Sequence, residues 1–175
     1  MYLIVVGVQH SETRLMEDSV QVTVTPDVTF SIESAQDHFY EAMPLLREHW
    51  KEITHWKDIP LEPDIDGYKQ IEDAGMLRCY IARSAGQMVG YAVFFIRTNL
   101  HYKSSKQALQ DVIYIDPQFR GIGLKFVDWC DQQLRADGVQ VVFHHFKNKR
   151  DFGVILESKL NYELIDVIYG RRLDR

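Results

Sequence analysis

A chain of 175 residues, 46% apolar and 26% charged, with three Trp, nine Tyr and nine Phe, has the length and bulk of one globular domain that closes its core without disulfides or metals. Twenty basic against 25 acidic side chains give a formal net charge of -5, which argues against a protein built to grip a nucleic-acid backbone, because that work needs positive surface to displace counterions. Cys79 and Cys130 stand in no metal-ligand spacing, so no metal site and a reduced, cytoplasmic setting are expected.

The opening run Met1 to Val8 is apolar but lacks a basic start and a small-residue cleavage site, and it is too short to span a bilayer. A strand or an extension is expected there, with no membrane partner, and Met16 is an alternative start. Residues 1–27 thus form an N-terminal arm or extra strand ahead of one domain over 28–175, and no repeat or linker divides the chain. Val20, Val22 and Val24 alternate with polar residues, and Val28 to Ile32 alternate again, so extended structure is expected up to Ser34.

Ser34, with Asp37 three residues on, has the form of a helix N-cap, and Phe39, Ala42, Leu46 and Trp50 recur at helical spacing. Pro44 is expected to kink or restart this helix. A second helix is expected over Asp64 to Ala74, ending at Gly75. Leu77 to Ala82 and Met88 to Ile96 make a hairpin about Ser84-Ala85-Gly86, and the second strand, apolar on both faces, must be central. The next strand runs from Gln107 to Ile115 and stops at Asp116-Pro117, since proline cannot donate to a sheet.

Beyond it, Leu124, Val127, Cys130 and Leu134 mark a helix ended by Gly138. A strand over Gln140 to Phe143, a short helix over Asp151 to Leu160, and a strand or tight hairpin over Tyr162 to Leu173 complete the series. Strand and helix alternate only in the second half, so an α/β fold with a mixed, largely antiparallel sheet of about six or seven strands is expected.

The informative stretch is Asp111-Val112-Ile113-Tyr114-Ile115-Asp116-Pro117-Gln118-Phe119-Arg120-Gly121-Ile122-Gly123-Leu124, which sets a strand, a proline stop, a glycine loop and a helix start in succession. Glycines here let backbone N–H groups approach an anion, and the helix N-terminus adds positive potential, so a diphosphate suits the place. Any strand-to-helix connection can use glycine, and a bare G-x-G is weak alone. A dinucleotide fingerprint is disfavoured because Gly123 is followed by Leu124, Lys125 and Phe126, without a third glycine, and no G-K-[ST] marks a Walker loop.

Gln118, Gly121 and Gly123 match the Q/R-x-x-G-x-G/A motif of the GNAT (Gcn5-related) N-acetyltransferase superfamily, which the sequence resembles. Val89-Gly90-Tyr91 is similar to that family's strand before the hairpin, and Leu160-Asn161-Tyr162 looks like a variant of its Leu-Gly-Phe turn. The tail from Tyr162 to Leu173 and His101-Tyr102-Lys103-Ser104-Ser105 look similar to a bacteriophage-encoded subgroup, which would put the protein in a host cytoplasm. The resemblance implies a GNAT-like acyl-CoA N-acyltransferase fold: a mixed, mostly antiparallel, splayed sheet flanked by helices, with acetyl-CoA as co-substrate between the strand ending at Ile115 and the one beginning near Gln140.

By the same resemblance Val112, Ile113, Tyr114 and Ile115 would bond the pantetheine arm, and Gln118, Phe119, Arg120, Gly121, Ile122, Gly123 and Leu124 the pyrophosphate. The implied activity is acetyl transfer to an amine, on a small molecule or a protein, by direct attack. The alternative is a non-catalytic protein that keeps the fold and engages a host or partner protein; the oligomeric state, a homodimer included, is open.

Such chemistry needs an acceptor for the ammonium proton. Asp111, expected to share a strand face with Ile113 and Ile115, is the first candidate, because apolar neighbours raise a carboxyl toward a useful pKa. Its plainer role is a strand-end aspartate bonded to a loop amide. Many family members protonate the departing thiolate with a tyrosine in the short helix before the Gly-Phe turn; counting back from Asn161-Tyr162, that position is Glu157, otherwise a solvated helix glutamate.

His144-His145 at a strand end, with His101, offer neutral-pH proton acceptors, and His145 is the candidate among them, although a hydrogen-bonded structural role is the plainer reading. Adjacent strand residues face opposite sides, so the pair does not make a zinc site. Lys147, Lys149 and Arg150 either attract phosphates or solvate a loop. Trp50, His55 and Trp56 fall where the resemblance puts an acceptor lid, although aromatic residues at helical spacing usually pack a core.

Overall fold

The structure, a computed structural model, describes residues 27–147 and 152–174. The alternating segments become strands β1 (Val28–Ile32), β2 (Leu77–Ser84), β3 (Gln87–Thr98), β4 (Lys106–Ile115) and β5 (Val141–Phe143). They form one sheet in the order β1-β2-β3-β4-β5, antiparallel except for the parallel pair β4–β5. Helices α1 (Ala35–Ile53) and α2 (Ile65–Asp73) join β1 to β2, a 3₁₀ turn over Pro117–Ile122 leads from β4 into α3 (Gly123–Ala136), and α4 (Gly153–Leu160) follows β5.

Five strands among the described residues replace the six or seven expected. Val20 to Val24 and Asp151 lie outside the described residues, and Tyr162 to Leu173 carries no strand or hairpin. The tail has strand-forming side chains but pairs with no described strand, and propensity without cross-strand packing does not make a strand. Leu164, Val167, Ile168 and Tyr169 remain exposed. Gly170 instead lies against the Trp56 ring, and Arg172 pairs with Asp58 at 3.0 Å.

Helix α1 runs unbroken through Pro44, so the helix does not restart there. The ring removes the N–H that would reach the Tyr40 carbonyl, and Tyr40 lies on the water-exposed side, where solvent can take that bond. The N-terminus of α1 is capped twice. Ser34 Oγ accepts from the Asp37 amide, and Glu72 of α2 accepts from the amides of Ala35 (2.8 Å) and Gln36 (3.1 Å), which fastens the two helices together.

The sheet buries both faces. Tyr80, Ala92, Phe94 and Ala108 pack with Phe126, Cys130 and Leu134 of α3, and Leu77, Cys79, Ile81, Tyr91, Val93 and Tyr114 pack beneath α1 and α2. Fully buried side chains such as Phe126 and Leu134 each contribute about 1.5–3 kcal/mol of transfer free energy. Strand β3 is buried from Met88 to Phe94, as its two-faced apolar run predicts.

One irregularity in β4 re-aims its side chains. Val93 pairs with Val112 but Phe94 pairs with Gln110, so Asp111 is the extra residue of a β-bulge. The bulge shifts the alternation: Ala108, Ile113 and Ile115 face α3, whereas Val112 and Tyr114 face α1 and α2. Asp111 bonds Tyr68 of α2 and therefore lies on the α1–α2 side, not on the face of Ile113 and Ile115 as strict alternation required.

Candidate active site

Strands β4 and β5 pair only through Gln107–Val141, Ala108–Val142 and Leu109–Phe143. From Gln110 to Ile115 that edge of β4 pairs with no strand among the described residues, so the β4–β5 ladder ends at a V whose apex is Gln110. The Gln110 side chain braces the apex, donating to the His145 carbonyl at 3.2 Å and meeting Nδ1 of His144 at 2.6 Å. His144 Nε2 lies 3.0 Å from the Tyr162 hydroxyl, which donates to Asp131 of α3 at 2.7 Å. His144 is thus the buried histidine of the pair, with a side chain 2% exposed, and His145 is exposed.

At the open end of β4, Asp116 builds the loop: its carboxylate accepts from the Gln118 amide at 2.9 Å and its carbonyl from the Phe119 amide at 2.8 Å. The turn closes with the Gly123 amide on the Arg120 carbonyl, and no side chain caps the N-terminus of α3. Neither Gly121 nor Gly123 has positive φ. A Cβ on Gly121 would meet nothing within 4 Å, and one on Gly123 would make only ordinary contacts at 3.8 and 3.9 Å with Ile115 and Phe152. Backbone conformation and internal packing therefore leave these glycines unexplained, although each costs about 0.5–1 kcal/mol relative to alanine in regular structure.

Across the loop, Arg120 donates to both carboxylate oxygens of Glu52 on α1, at 2.6 and 2.7 Å, and the Tyr114 hydroxyl lies 3.4 Å from the same carboxylate. Behind them His49 stacks on Tyr114 with ring centroids 4.8 Å apart, its Nδ1 3.0 Å from the Tyr91 hydroxyl. Burial lowers the His49 pKa to about 4, so the ring is neutral near pH 7.

Asp111 sits half-buried at the bulge with its Oδ2 accepting from the Tyr68 hydroxyl. Burial raises its carboxyl above the ordinary aspartate value, and the Tyr68 hydrogen bond acts against that rise. The other candidates are not gathered around it. Glu157 is exposed on α4, His101 lies in an exposed turn, and Lys147 is exposed, while Lys149 and Arg150 lie outside the described residues. Trp50 lines a cavity of about 680 Å³ along the outer side of α1 with Leu61 and Asp116, and Trp56 packs edge-on to His55. Among the described residues no group of three or more His, Cys, Asp or Glu is placed to hold a metal ion, and no helix is long and apolar enough to cross a membrane.

Sequence reasoning missed Tyr68, Glu52 and Gln110. The Ile65, Tyr68, Ile71 stripe of α2 was the available signal for the first; the other two owe their roles to contacts far away in sequence.

No family model matches the chain, and no curated protein matches it in sequence. Solved structures do match. An aminoglycoside acetyltransferase from an uncultured soil metagenomic sample, in complex with sisomicin, superposes with a TM-score of 0.64 over 86% of this chain and 97% of that one, at 16% identity. A ribosomal-protein-alanine N-acetyltransferase from Brucella melitensis biovar Abortus 2308 gives 0.63 over 84% and 99%, also at 16% identity. The chain has the GNAT acetyltransferase fold. A predicted acetyltransferase from Clostridium acetobutylicum, solved with acetyl-CoA, shares that fold at a TM-score of 0.59, over 84% of this chain and 97% of that one, with 15% identity. Identities this low carry the fold and leave the chemistry to the residues of the GNAT-fold cleft themselves.

Proposed function

We propose that this protein is an N-acetyltransferase that moves an acetyl group from acetyl-CoA to an amine by direct attack. The observation that carries the reading is the pair Gly121 and Gly123, which no packing or backbone conformation among the described residues requires, set at a helix N-terminus without a side-chain cap, next to the end of β4. The Gly123 amide is taken by the Arg120 carbonyl, so what this helix N-terminus offers an anion is its positive potential and the open space over Gly121. On this reading Val112, Ile113, Tyr114 and Ile115 offer backbone groups to the pantetheine arm, and Gln118 through Leu124 hold the diphosphate. Residues 28–175 form the catalytic domain, with 1–27 as an arm.

In the transfer the amine nitrogen forms a bond to the thioester carbon, the carbon–sulfur bond breaks, and the pair of electrons leaves with sulfur. Asp111 accepts the proton that the ammonium must lose; burial raises its carboxyl, the direction that favours proton acceptance. Glu157 or His145 would return a proton to the thiolate. The acceptor is a small-molecule or protein amine; the neighbour that holds sisomicin and the one named for ribosomal-protein alanine represent both kinds. The finer likeness to a phage-encoded subgroup rests on residues 101–105 and the tail.

A non-catalytic reading draws on one observation, the exposed Leu164, Val167, Ile168 and Tyr169 of the tail, which offer a partner protein an apolar surface. Thermal unfolding with and without acetyl-CoA tests ligand binding: at a hundred times the dissociation constant the ligand adds ~2.7 kcal/mol. Gly121→Asp should fold normally, since the position is open, yet lose the shift. Thiol release with a panel of amines then separates the enzyme from the binding protein; no stabilisation by acetyl-CoA in the parent protein removes the enzyme reading.

A further inference from the structure

We propose that Tyr68 is the positioning residue of the site: its hydroxyl fixes one oxygen of Asp111, so that the other oxygen is the one presented to the incoming amine. This deepens the acetyltransferase reading and rests on it.

Four observations converge. The β4 bulge places Asp111 on the same side as Val112, under α2 and beside the point where the sheet opens. The Tyr68 hydroxyl donates to Oδ2, while Oδ1 has no protein partner among the described residues and is absent from the buried, unbonded side-chain atoms. The Tyr68 ring is itself held, stacked on Phe95 at 6.2 Å and tilted against Phe39 at 6.3 Å, so the hydroxyl has little freedom. Finally α2 is anchored at its start, where the Asp64 carboxylate accepts from Gly67 at 2.9 Å, and at its end, where Glu72 caps α1.

A carboxylate on a strand has two near-equivalent oxygens and a broad torsion. Pinning one oxygen by a charge-assisted bond leaves the lone pairs of the other aimed in one direction, which is what a general base needs before geometry can favour proton transfer. The bond also favours the ionised carboxylate over the neutral acid, opposing the burial that favours the acid. The titratable groups facing Asp111 are Tyr68 from α2 and Tyr91 from β3, the latter bonded in turn to His49 of α1. Burial and neighbouring negative charge raise both tyrosines, so both keep their protons through the working range.

The decisive variant is Tyr68→Phe, which keeps the ring and deletes the hydroxyl. Carboxyl carbon NMR of Asp111, on the intact chain without ligand, should show its titration moving upward in Tyr68→Phe, because burial then acts unopposed. In turnover the acidic limb of the kcat/KM profile should move up in step, kcat should fall at least several-fold, and KM for acetyl-CoA should hold. An unmoved Asp111 titration overturns the proposal, as does a moved titration with an unmoved kinetic limb, which would show that Asp111 is not the base. Absence of turnover by the parent protein against every amine would be a different failure, removing the reaction and any base in it, and the ligand-free titration tells the two apart. If Tyr68→Phe unfolds, Asp111→Asn provides the check: unchanged turnover in that variant also overturns the proposal.

Discussion

Glu52, at the end of α1, and Arg120, in the middle of the glycine loop, form a two-pronged ion pair that ties the first helix to the candidate diphosphate site. Side-chain exposures of 23% and 42% put it at the surface, where such pairs contribute about 0–1 kcal/mol and weaken in salt. Its larger effect is on charge: while the pair holds, Glu52 offsets the cation nearest the loop. Glu52→Gln should therefore leave the melting temperature almost unchanged and tighten acetyl-CoA binding a few-fold at low salt. Arg120→Ala should weaken it. Calorimetric titration at two ionic strengths checks both signs.

Gly121 and Gly138 should respond oppositely to alanine. Gly138 has φ +80° after α3, in the region that L-residues avoid, so Gly138→Ala should cost roughly 1–2 kcal/mol although no atom lies within 4 Å of the added carbon. Gly121 lacks positive φ and is equally open, so Gly121→Ala should raise ligand-free stability by roughly 0.4–1 kcal/mol. The same change should weaken acetyl-CoA binding. Denaturant unfolding with and without ligand reads both effects.

Acid should destabilise the protein in a window set by His49. Its pKa falls from 6.5 to about 4 on burial, so between those values the unfolded chain binds the extra proton and stability drops as pH falls. The full difference is on the order of 3 kcal/mol. His49→Phe should flatten that slope between pH 6.5 and 4, even if packing lowers stability overall. Glu33 acts lower down: hydrogen bonds from Arg83 hold its pKa near 2, so the stability it contributes is complete above pH 4.5 and is lost toward pH 2. Urea titrations across pH separate the two.

Tyr162→Phe should be costly for a buried aromatic that keeps its ring. The hydroxyl serves both His144 and Asp131, and Asp131 already has one buried oxygen without a partner. Removing the hydroxyl leaves the buried His144 ring without that partner, at about 1–3 kcal/mol before relaxation, and takes a donor from Asp131. Gln110 joins this network at the apex of the V, so the loss should also accelerate hydrogen exchange in β5.

Much of the candidate site was legible because it is local. A strand, a proline stop, two glycines and a helix occupy consecutive residues, so the pattern can be read without knowing any distant contact. The hairpin at Ala85-Gly86, with φ values of 48° and 81°, was legible on the same grounds. Asp111 could be nominated but not aimed. Strict alternation put it with Ile113 and Ile115, and the bulge, which depends on how Phe94 and Gln110 pair, moved it to the other face. The tail read as a strand from its Ile, Val and Tyr content, yet strand formation needs an edge to pair with, and composition says nothing about edges.

Chain-local chemistry determined the order of elements, the loop and the helix that follows it, because turns, caps and periodicity act over a few residues. Tertiary packing alone decided that Tyr68 meets Asp111 across 43 positions, that Arg120 meets Glu52 across 68, and that β4 parts from β5 after three pairs. Those outcomes depend on register and helix placement, which are set by competition among distant surfaces for burial and leave no mark at any single position.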